Sequence, residues 1–416
     1  MFTAMDLKKW SNENKIKNIV FFNSDTLRWD QRPKEVTKMG VTIKTVTSSL
    51  FTGCSFPSMM TGLHPLNHRV FSFFNKIPKN TKSLLNLKNY NCSLWTASKL
   101  KSKNGKKFKQ LYRILRHNKA TSLTKIKPPF IYIENEKGGH CPYGWDWKEK
   151  NKKYKGHECI KFFKDARNKS KNFLIKKYKK GIKRSVREFK ERIKVIKNRG
   201  LQDETLIIFS SDHGEILDRG GLVGHGHSSF PELVYVPTIL IHPNLPKNKE
   251  IKSGVLRHVD FFSSLMDLLK TNTKNKTDGK SIFKGNISNV GFTYHKNIEG
   301  HPKFPYLRPV KTEKGVWDKN GGFVFRSIEK PKIHGILSLF RYLFWNTISS
   351  VYLRGKIKKK PIKALKDFFE TWKTMRKDFT KFRQPGFDKQ KALDLLNSEE
   401  MKIKENEKNI LNKIDI

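Results

Sequence analysis

Thr52–Gly62 reads TGCSFPSMMTG: four hydroxyl side chains, Thr52, Ser55, Ser58 and Thr61, on a segment punctuated by Gly53, Pro57 and Gly62. It follows a short strand-like run, Val41–Thr47, and an earlier hydrophobic one, NIVFFNSDT (Asn18–Thr26), that ends in Asp25. A strand, an acidic tip, then a hydroxyl-bearing loop opening a helix points to a nucleophile at the carboxyl edge of a parallel sheet. A Ser/Thr/Gly loop by itself is also an ordinary turn. Further along, LIIFSSDHGE (Leu206–Glu215) is another apolar run, ending in Asp212 and His213. Two strands that each deliver a carboxylate at the tip, one with an adjacent imidazole, suit a divalent metal site.

Taken together these residues resemble the alkaline phosphatase superfamily, in particular its sulfatase-like branch. In that family the loop opens on Cys, Ser or Thr, has a serine three residues on, and closes with Thr-Gly nine residues after the nucleophile. Here Thr61-Gly62 closes the loop, Thr52 stands nine residues before Thr61, and Ser55 takes the place of the serine. A competing register starts the signature at Ser55-Phe56-Pro57-Ser58. It has Met59 where an arginine belongs, and Thr61-Gly62 then arrives three residues early. Cys54 lacks a proline at the right spacing. Neither Ser55 nor Cys54 lies in a context resembling the formylglycine signature, so the aldehyde of classical sulfatases is not expected.

The resemblance covers residues 16–270 and implies an α/β fold with a mostly parallel central sheet flanked by helices. It implies a divalent ion (Ca, Mn, Zn or Mg) on Asp25, Thr52, Asp212 and His213, with Thr26 where the family often has a second aspartate. GGHCPYG, after the strand PFIYIE (Pro129–Glu134), puts His140 where the family has a histidine close to the substrate anion. The GHG at 224–226 puts His225 at the anion or the leaving group. His227 is a weaker candidate for the same role, while His64, His68 and Asp260 are expected to stabilise turns, cap or pack. The implied chemistry is in-line attack by the Thr52 alkoxide, giving a covalent intermediate that water hydrolyses or an acceptor alcohol resolves by transfer. An unmodified threonine tilts the expectation towards a phosphoester, with a sulfate ester as the alternative. The implied substrate is an anionic ester, glycan- or lipid-linked.

The 416 residues carry a formal net charge of +49, a field that attracts nucleic acid, anionic lipid and phosphorylated substrates alike. The lysines are spread along the chain rather than gathered in one tail, as on ordinary solvated helix faces. With no zinc-finger spacing, RNP-like aromatic motif or helix-turn-helix signal, nucleic acid is not the expected partner. A catalytically silent anion-binding protein is the other rival; the intact Asp25/Thr52/Asp212/His213 set speaks against it. Cys54, Cys92, Cys141 and Cys159 read as free thiols of a reducing compartment. The N-terminal stretch has no apolar core for a secretory signal, and no apolar run is long enough to span a bilayer. The expected location is therefore cytoplasmic, with a peripheral place at the membrane inner face as the alternative.

Organisation is read as a catalytic domain over 1–290, a small sheet over 291–330 (strands at Val290–His295 and Gly322–Phe325) and a basic helical region over 331–416. Lys82–Leu100 reads as a helix followed by a strand. Lys101–Ser122 reads as a basic amphipathic insertion with Phe108, Leu111 and Leu115 at helical spacing. Glu158–Arg199 reads as one long helix, and the chain from Asp388 onward as a polar helix with few anchors. Gly335–Lys360, dense in aromatics and closed by Lys356 and Lys358–Lys360, suits either a packing helix, which is preferred, or an interfacial helix beside anionic lipid.

Overall fold

The first strand, Asn18–Ser24, sends Ile19 and Phe21 into one core and Val20 and Phe22 into another, all four fully buried. A strand apolar on both faces needs cover on both sides, and the sheet around it is built that way. The computed structural model describes residues 2–96, 110–144, 154, 158–271, 276–298 and 309–411. In chain order its strands are β1 (Asn18–Ser24), β2 (Val41–Val46), β3 (Asn91–Thr96), β4 (Phe130–Glu136), β5 (Thr205–Ser210), β6 (Ile216–Arg219), β7 (Leu222–Gly224), β8 (Tyr235–Ile241), β9 (Lys249–Arg257), β10 (Gly291–Ile298), β11 (Val310–Trp317), β12 (Gly321–Ile328) and β13 (Phe379–Arg383). The central sheet has seven strands in the order β3-β4-β1-β5-β8-β2-β9. Every neighbouring pair is parallel except those made by β8, which runs antiparallel to both β5 and β2. The α/β architecture implied by the sequence is the one observed.

One face is covered by the helices Ala4–Glu13, Thr52–Thr61 and Asp260–Leu268, through residues such as Trp10, Phe56, Met60 and Phe261. The other is covered by the 28-residue helix Lys171–Asn198, through Leu174, Tyr178, Val186 and Phe189. A second sheet, β10-β11-β12-β13, is antiparallel throughout and takes its last strand from within 331–416. It docks on the connector between β2 and the Thr52 helix: Tyr294 N donates to Ser48 O (2.9 Å) and Thr293 Oγ1 to Thr47 O (2.8 Å).

Three expectations change, and the amphipathic insertion keeps its apolar face where it is described. Residues 82–90 form turns, not a helix, because Ser83 N donates to Asn86 Oδ1 (2.8 Å) and Leu85 N to Ser83 Oγ (3.2 Å). Such local side-chain bonds compete with helical ones. Of the amphipathic insertion, Phe108 lies outside the described residues, while Leu111 and Leu115 are buried at the helix Gln110–Ile114. The long helix over 158–199 is two, Cys159–Ala166 and Lys171–Asn198, separated where Ser170 caps the second by accepting from Phe173 N. The C-terminal helix Lys389–Leu411 is well anchored: Ala392, Leu396 and Ile403 bury against Phe292, Tyr294 and Val316, and Glu399 meets His64 and Arg257.

The aromatic stretch 335–360 is also two helices, Pro331–Leu343 and Ile348–Lys359, the second opened by a Thr347 capping box. The second packs through Val351, Tyr352 and Leu353; the first buries Tyr342 but exposes Ile336 and Phe340. Among the described residues no helix is long and apolar enough to cross a membrane.

Candidate active site

The carboxyl edge of the sheet collects the ends of β1, β4 and β5, and the connector leaving β2. The turn after β1 is locked to that after β4: Asp25 N donates to Glu136 O (2.9 Å) and Gly139 N to Asp25 O (3.0 Å). A Cβ on Gly138, whose φ is +51°, would sit 2.3 Å from Asp25 O, so only glycine fits there. Thr26 is left-handed (φ 65°), its carbonyl held by Tyr178 Oη (2.7 Å), and its N–H donates to Asp212 Oδ1 (3.4 Å). The tips of β1 and β5 are thereby interlocked.

Asp25, Asp212 and His213 present one ligand atom each, all within 4.8 Å of one another, and all three residues are buried. His213 Nδ1 donates to Gly214 O (2.9 Å), which leaves the Nε2 lone pair facing Asp25 Oδ1 (3.7 Å) and Asp212 Oδ2 (3.6 Å). Burial keeps His213 neutral against the pull of Asp212. Asp25 is pushed well above the usual carboxylate range by burial, and further by the charges of Asp212 and Glu215. Asp25 Oδ1 and Asp212 Oδ2 are buried with no hydrogen-bond partner. Two orphaned carboxylate oxygens beside a neutral imidazole nitrogen are a donor set that a divalent cation satisfies, so this group could hold a metal ion.

Thr52 opens the helix Thr52–Thr61 and brings Oγ1 to 3.4 Å from His213 Nε2. That helix start has no side-chain cap, so the positive end of its dipole lies at Thr52 with no side chain satisfying its first N–H groups. The other candidates on the segment are engaged elsewhere. Ser55 Oγ donates to Ser49 O (2.9 Å), Ser58 Oγ meets His68 Nε2 (3.0 Å) and Thr61 Oγ1 donates to Pro57 O (2.7 Å). Burial pushes the Cys54 thiol up to about 12.

His140 and His225 join the cluster. The His225 ring lies 4.4 Å from that of His213 and 5.1 Å from that of His140. Burial holds His225 down to about 4. Its Nδ1 is 3.3 Å from Glu215 Oε1, and burial raises that carboxyl to about 8. His140 Nδ1 donates to Cys141 O (2.6 Å). The structure thus brings Asp25, Thr52, Asp212, His213, His140 and His225 to one place. Sequence reasoning assigned no role to Glu215 or to Lys137. Lys137 is half-buried, drawn down to about 8 by burial, and its charge acts on Asp25. Both follow strand ends already singled out, which was the available signal.

The loop carrying His225 is pinned from the second sheet by Glu313. Its carboxylate accepts from the Ser228 hydroxyl, from Ser229 N (2.6 Å) and from Arg326 Nε (2.8 Å), with Lys311 Nζ at 3.1 Å. Burial alone would raise Glu313; the charges of Lys311 and Arg326 outweigh it and hold the group far below the usual range. His227 is buried against Tyr342 Oη (3.2 Å) and Val223 O (2.9 Å). Asp260 pairs with Arg257 (2.7 Å).

Three comparisons place this geometry. The sulfatase family model matches residues 161–271. The chain is 30% identical over 322 residues to the low-salt glycan biosynthesis sulfotransferase Agl7 of Haloferax volcanii, covering 76% of each chain. Its fold is similar to that of the phosphonate monoester hydrolase of Agrobacterium radiobacter (TM-score 0.54, 13% identity, 84% of this chain and 96% of that one). It is equally similar to a 2-O GAG sulfatase (TM-score 0.54, 13% identity, 88% and 93%). With that relative spanning three quarters of its length, the chain belongs to the sulfatase-like branch of the alkaline phosphatase superfamily and is an ester hydrolase or transferase.

Proposed function

We propose that the protein moves a sulfuryl group between an ester donor and an acceptor alcohol of a glycan, using Thr52 as nucleophile. The observation that carries this reading is the approach of Thr52 Oγ1 to 3.4 Å from His213 Nε2, at the head of a helix and beside Asp25 and Asp212. Asp25, Asp212 and His213 would hold a divalent cation (Ca, Mn, Zn or Mg), with the Thr52 hydroxyl against it. Bound there, such an ion supplies Lewis acidity, lowering the hydroxyl pKa and balancing the charge of the ester. Thr52 Oγ1 attacks sulfur in line as the bond to the leaving oxygen breaks, and the group is left on Thr52. His225, with His140 beside it, hydrogen-bonds the non-bridging oxygens and the leaving oxygen, which takes up the proton released by Thr52 Oγ1. Attack by an acceptor hydroxyl, or by water, then frees Thr52.

A sulfate ester is preferred to a phosphate monoester on charge. Among the described residues one group alone has the make-up of a cation site. A sulfate ester brings a single negative charge to it, whereas a phosphate monoester brings about −1.5 to −2 near neutral pH. The relationship to a glycan sulfotransferase supports the same choice and a glycan-linked substrate. The unmodified threonine keeps a phosphoester as the second reading. An aryl sulfate, an aryl phosphate and a phosphonate monoester offered with each divalent metal, with and without a sugar acceptor, test it. Metal-dependent turnover of the sulfate ester is expected; turnover of the phosphate ester alone would overturn the sulfuryl assignment.

The reading extends to place. The outer face of the helix Pro331–Leu343 exposes Ile336 (70%) and Phe340, and Phe344 just beyond it is 64% exposed. The inner face of the same helix holds the His225 loop through Tyr342 and His227. On a chain of net charge +49, that apolar face suits the anionic inner surface of a membrane, where a lipid-linked glycan would present its ester. Four free thiols fit the cytoplasmic side.

A further inference from the structure

The turn at 71–76, beyond the short helix Pro65–His68 that follows the Thr52 helix, carries two phenylalanines that the fold does not bury. Phe74 is 85% exposed and Phe73 38%. They are held out by a dedicated set of hydrogen bonds. Asn75 Oδ1 accepts from Phe71 N (3.0 Å) and Ser72 Oγ (3.1 Å), Phe74 N donates to Ser72 Oγ (3.2 Å), and the Arg113 guanidinium donates to Phe73 O. The turn is anchored on the segment that carries Thr52. The Phe73 ring packs on that of Phe51 at 5.4 Å, and a Cβ added to Gly53 would lie 3.0 Å from both rings. Phe51 and Gly53 flank Thr52 in the chain, so this aromatic pair is seated on the segment that carries the Thr52 hydroxyl.

We propose that Phe73 and Phe74 are a specificity platform on which the sugar ring bearing the reacting ester stacks; this rests on the glycan reading above and names how that glycan is held. A braced turn presenting an aromatic face is preorganised for a rigid partner and loses little on binding. The platform is small and bordered by the exposed polar residues Asn75 and Lys76. A pyranose matches that pattern, with an apolar face of C–H groups rimmed by hydroxyls and a nearby anion for the lysine. A lipid tail needs a continuous apolar track, and here the aromatic surface ends at those polar neighbours.

The test is equilibrium binding, by calorimetry, of gluco-, galacto- and manno-hexose 6-sulfates and of inorganic sulfate. The proteins are the metal-loaded wild type, Phe74→Ala, Phe73→Ala and Phe74→Trp. At least one hexose sulfate should bind wild type saturably and lose about tenfold in affinity in Phe74→Ala. Phe74→Trp should keep that affinity, and inorganic sulfate should bind all four alike. Phe73→Ala, whose ring also supports Phe51, is checked by thermal melting alongside. Equal hexose sulfate binding by wild type and Phe74→Ala overturns the platform, as does a loss shared equally by inorganic sulfate. Absence of any saturable hexose sulfate binding by wild type overturns it too. Saturable binding without turnover of any sulfate ester would instead count against the sulfuryl-transfer reading and leave the platform standing.

Discussion

At the scale of single residues, the site is a problem of buried charge. Asp25 and Asp212 leave oxygens without partners in the interior, and burying a carboxylate without compensation is costly. If a cation is the compensation, Asp212→Asn and His213→Ala should each remove most bound metal and most activity together. Elemental analysis of purified variants checks this; full metal occupancy in either would mean these residues serve only the strand end. The residues themselves were legible because hydrophobic strands ended in Asp and Asp-His and a Thr-Gly closed the hydroxyl loop at the family spacing. The sequence favoured Thr52 over the Ser55 register by spacing alone, without showing which way either hydroxyl points. Ser55 and Thr52 are both plausible on paper, and the helix places them on different sides, Ser55 towards Ser49 O and Thr52 towards His213. Glu215 and Lys137 were missed because their significance is burial beside other titratable groups, which only folding creates.

At the scale of elements, the second sheet and the C-terminal helix act as clamps. Glu313 on β11 is fully buried with Lys311 and Arg326. Glu313→Ala strands two buried cations, so it should cost about 3–5 kcal/mol, read as a lower denaturation midpoint. A change under about 1 kcal/mol would show that the cluster is not holding the His225 loop. Glu399 on the helix Lys389–Leu411 meets His64 Nε2 (3.2 Å) and Arg257 Nη1 (3.0 Å). Burial would raise its pKa, but the His64 hydrogen bond and the His64 and Arg257 charges lower it from 4.5 to about 2. The folded value lies below the unfolded one, so Glu399 contributes stability above pH 4.5 that is lost as pH falls towards about 2. Melting curves of wild type and Glu399→Gln should therefore differ at pH 6 and converge on acidification through this window. A gap that persists at the acid end would contradict the pairing. These clamps were poorly legible: the tail helix looks polar because its anchors include the small Ala392 and the charged Glu399, and partners such as Arg257 and His64 are remote in sequence. The helix expected over 82–90 failed for the opposite reason, a local Asn86 bond that apolar spacing does not register.

At the scale of the whole molecule, the mostly parallel sheet sets the edge where the site residues gather, and the helix Pro331–Leu343 packs against the His225 loop through Tyr342 and His227. Liposome co-sedimentation should show binding that requires anionic lipid and weakens with salt. Ile336→Asp with Phe344→Asp, both on exposed positions, should abolish binding while leaving the melting temperature close to that of wild type. Binding that survives these changes would place the membrane contact elsewhere or remove it. The fold was legible because two strands read as continuously apolar, which requires cover on both faces. The orientation of the aromatic helix was not, since one stretch supplies both a buried Tyr342 and an exposed Phe344. The most direct measurement is rapid-quench peptide mapping at high mass resolution after mixing the metal-loaded protein with an activated aryl sulfate. A sulfuryl adduct confined to Thr52, absent in Thr52→Ala and unaffected by Ser55→Ala, is the expected result; an adduct on Ser55 or Cys54, or turnover by Thr52→Ala at the wild-type rate, would contradict it.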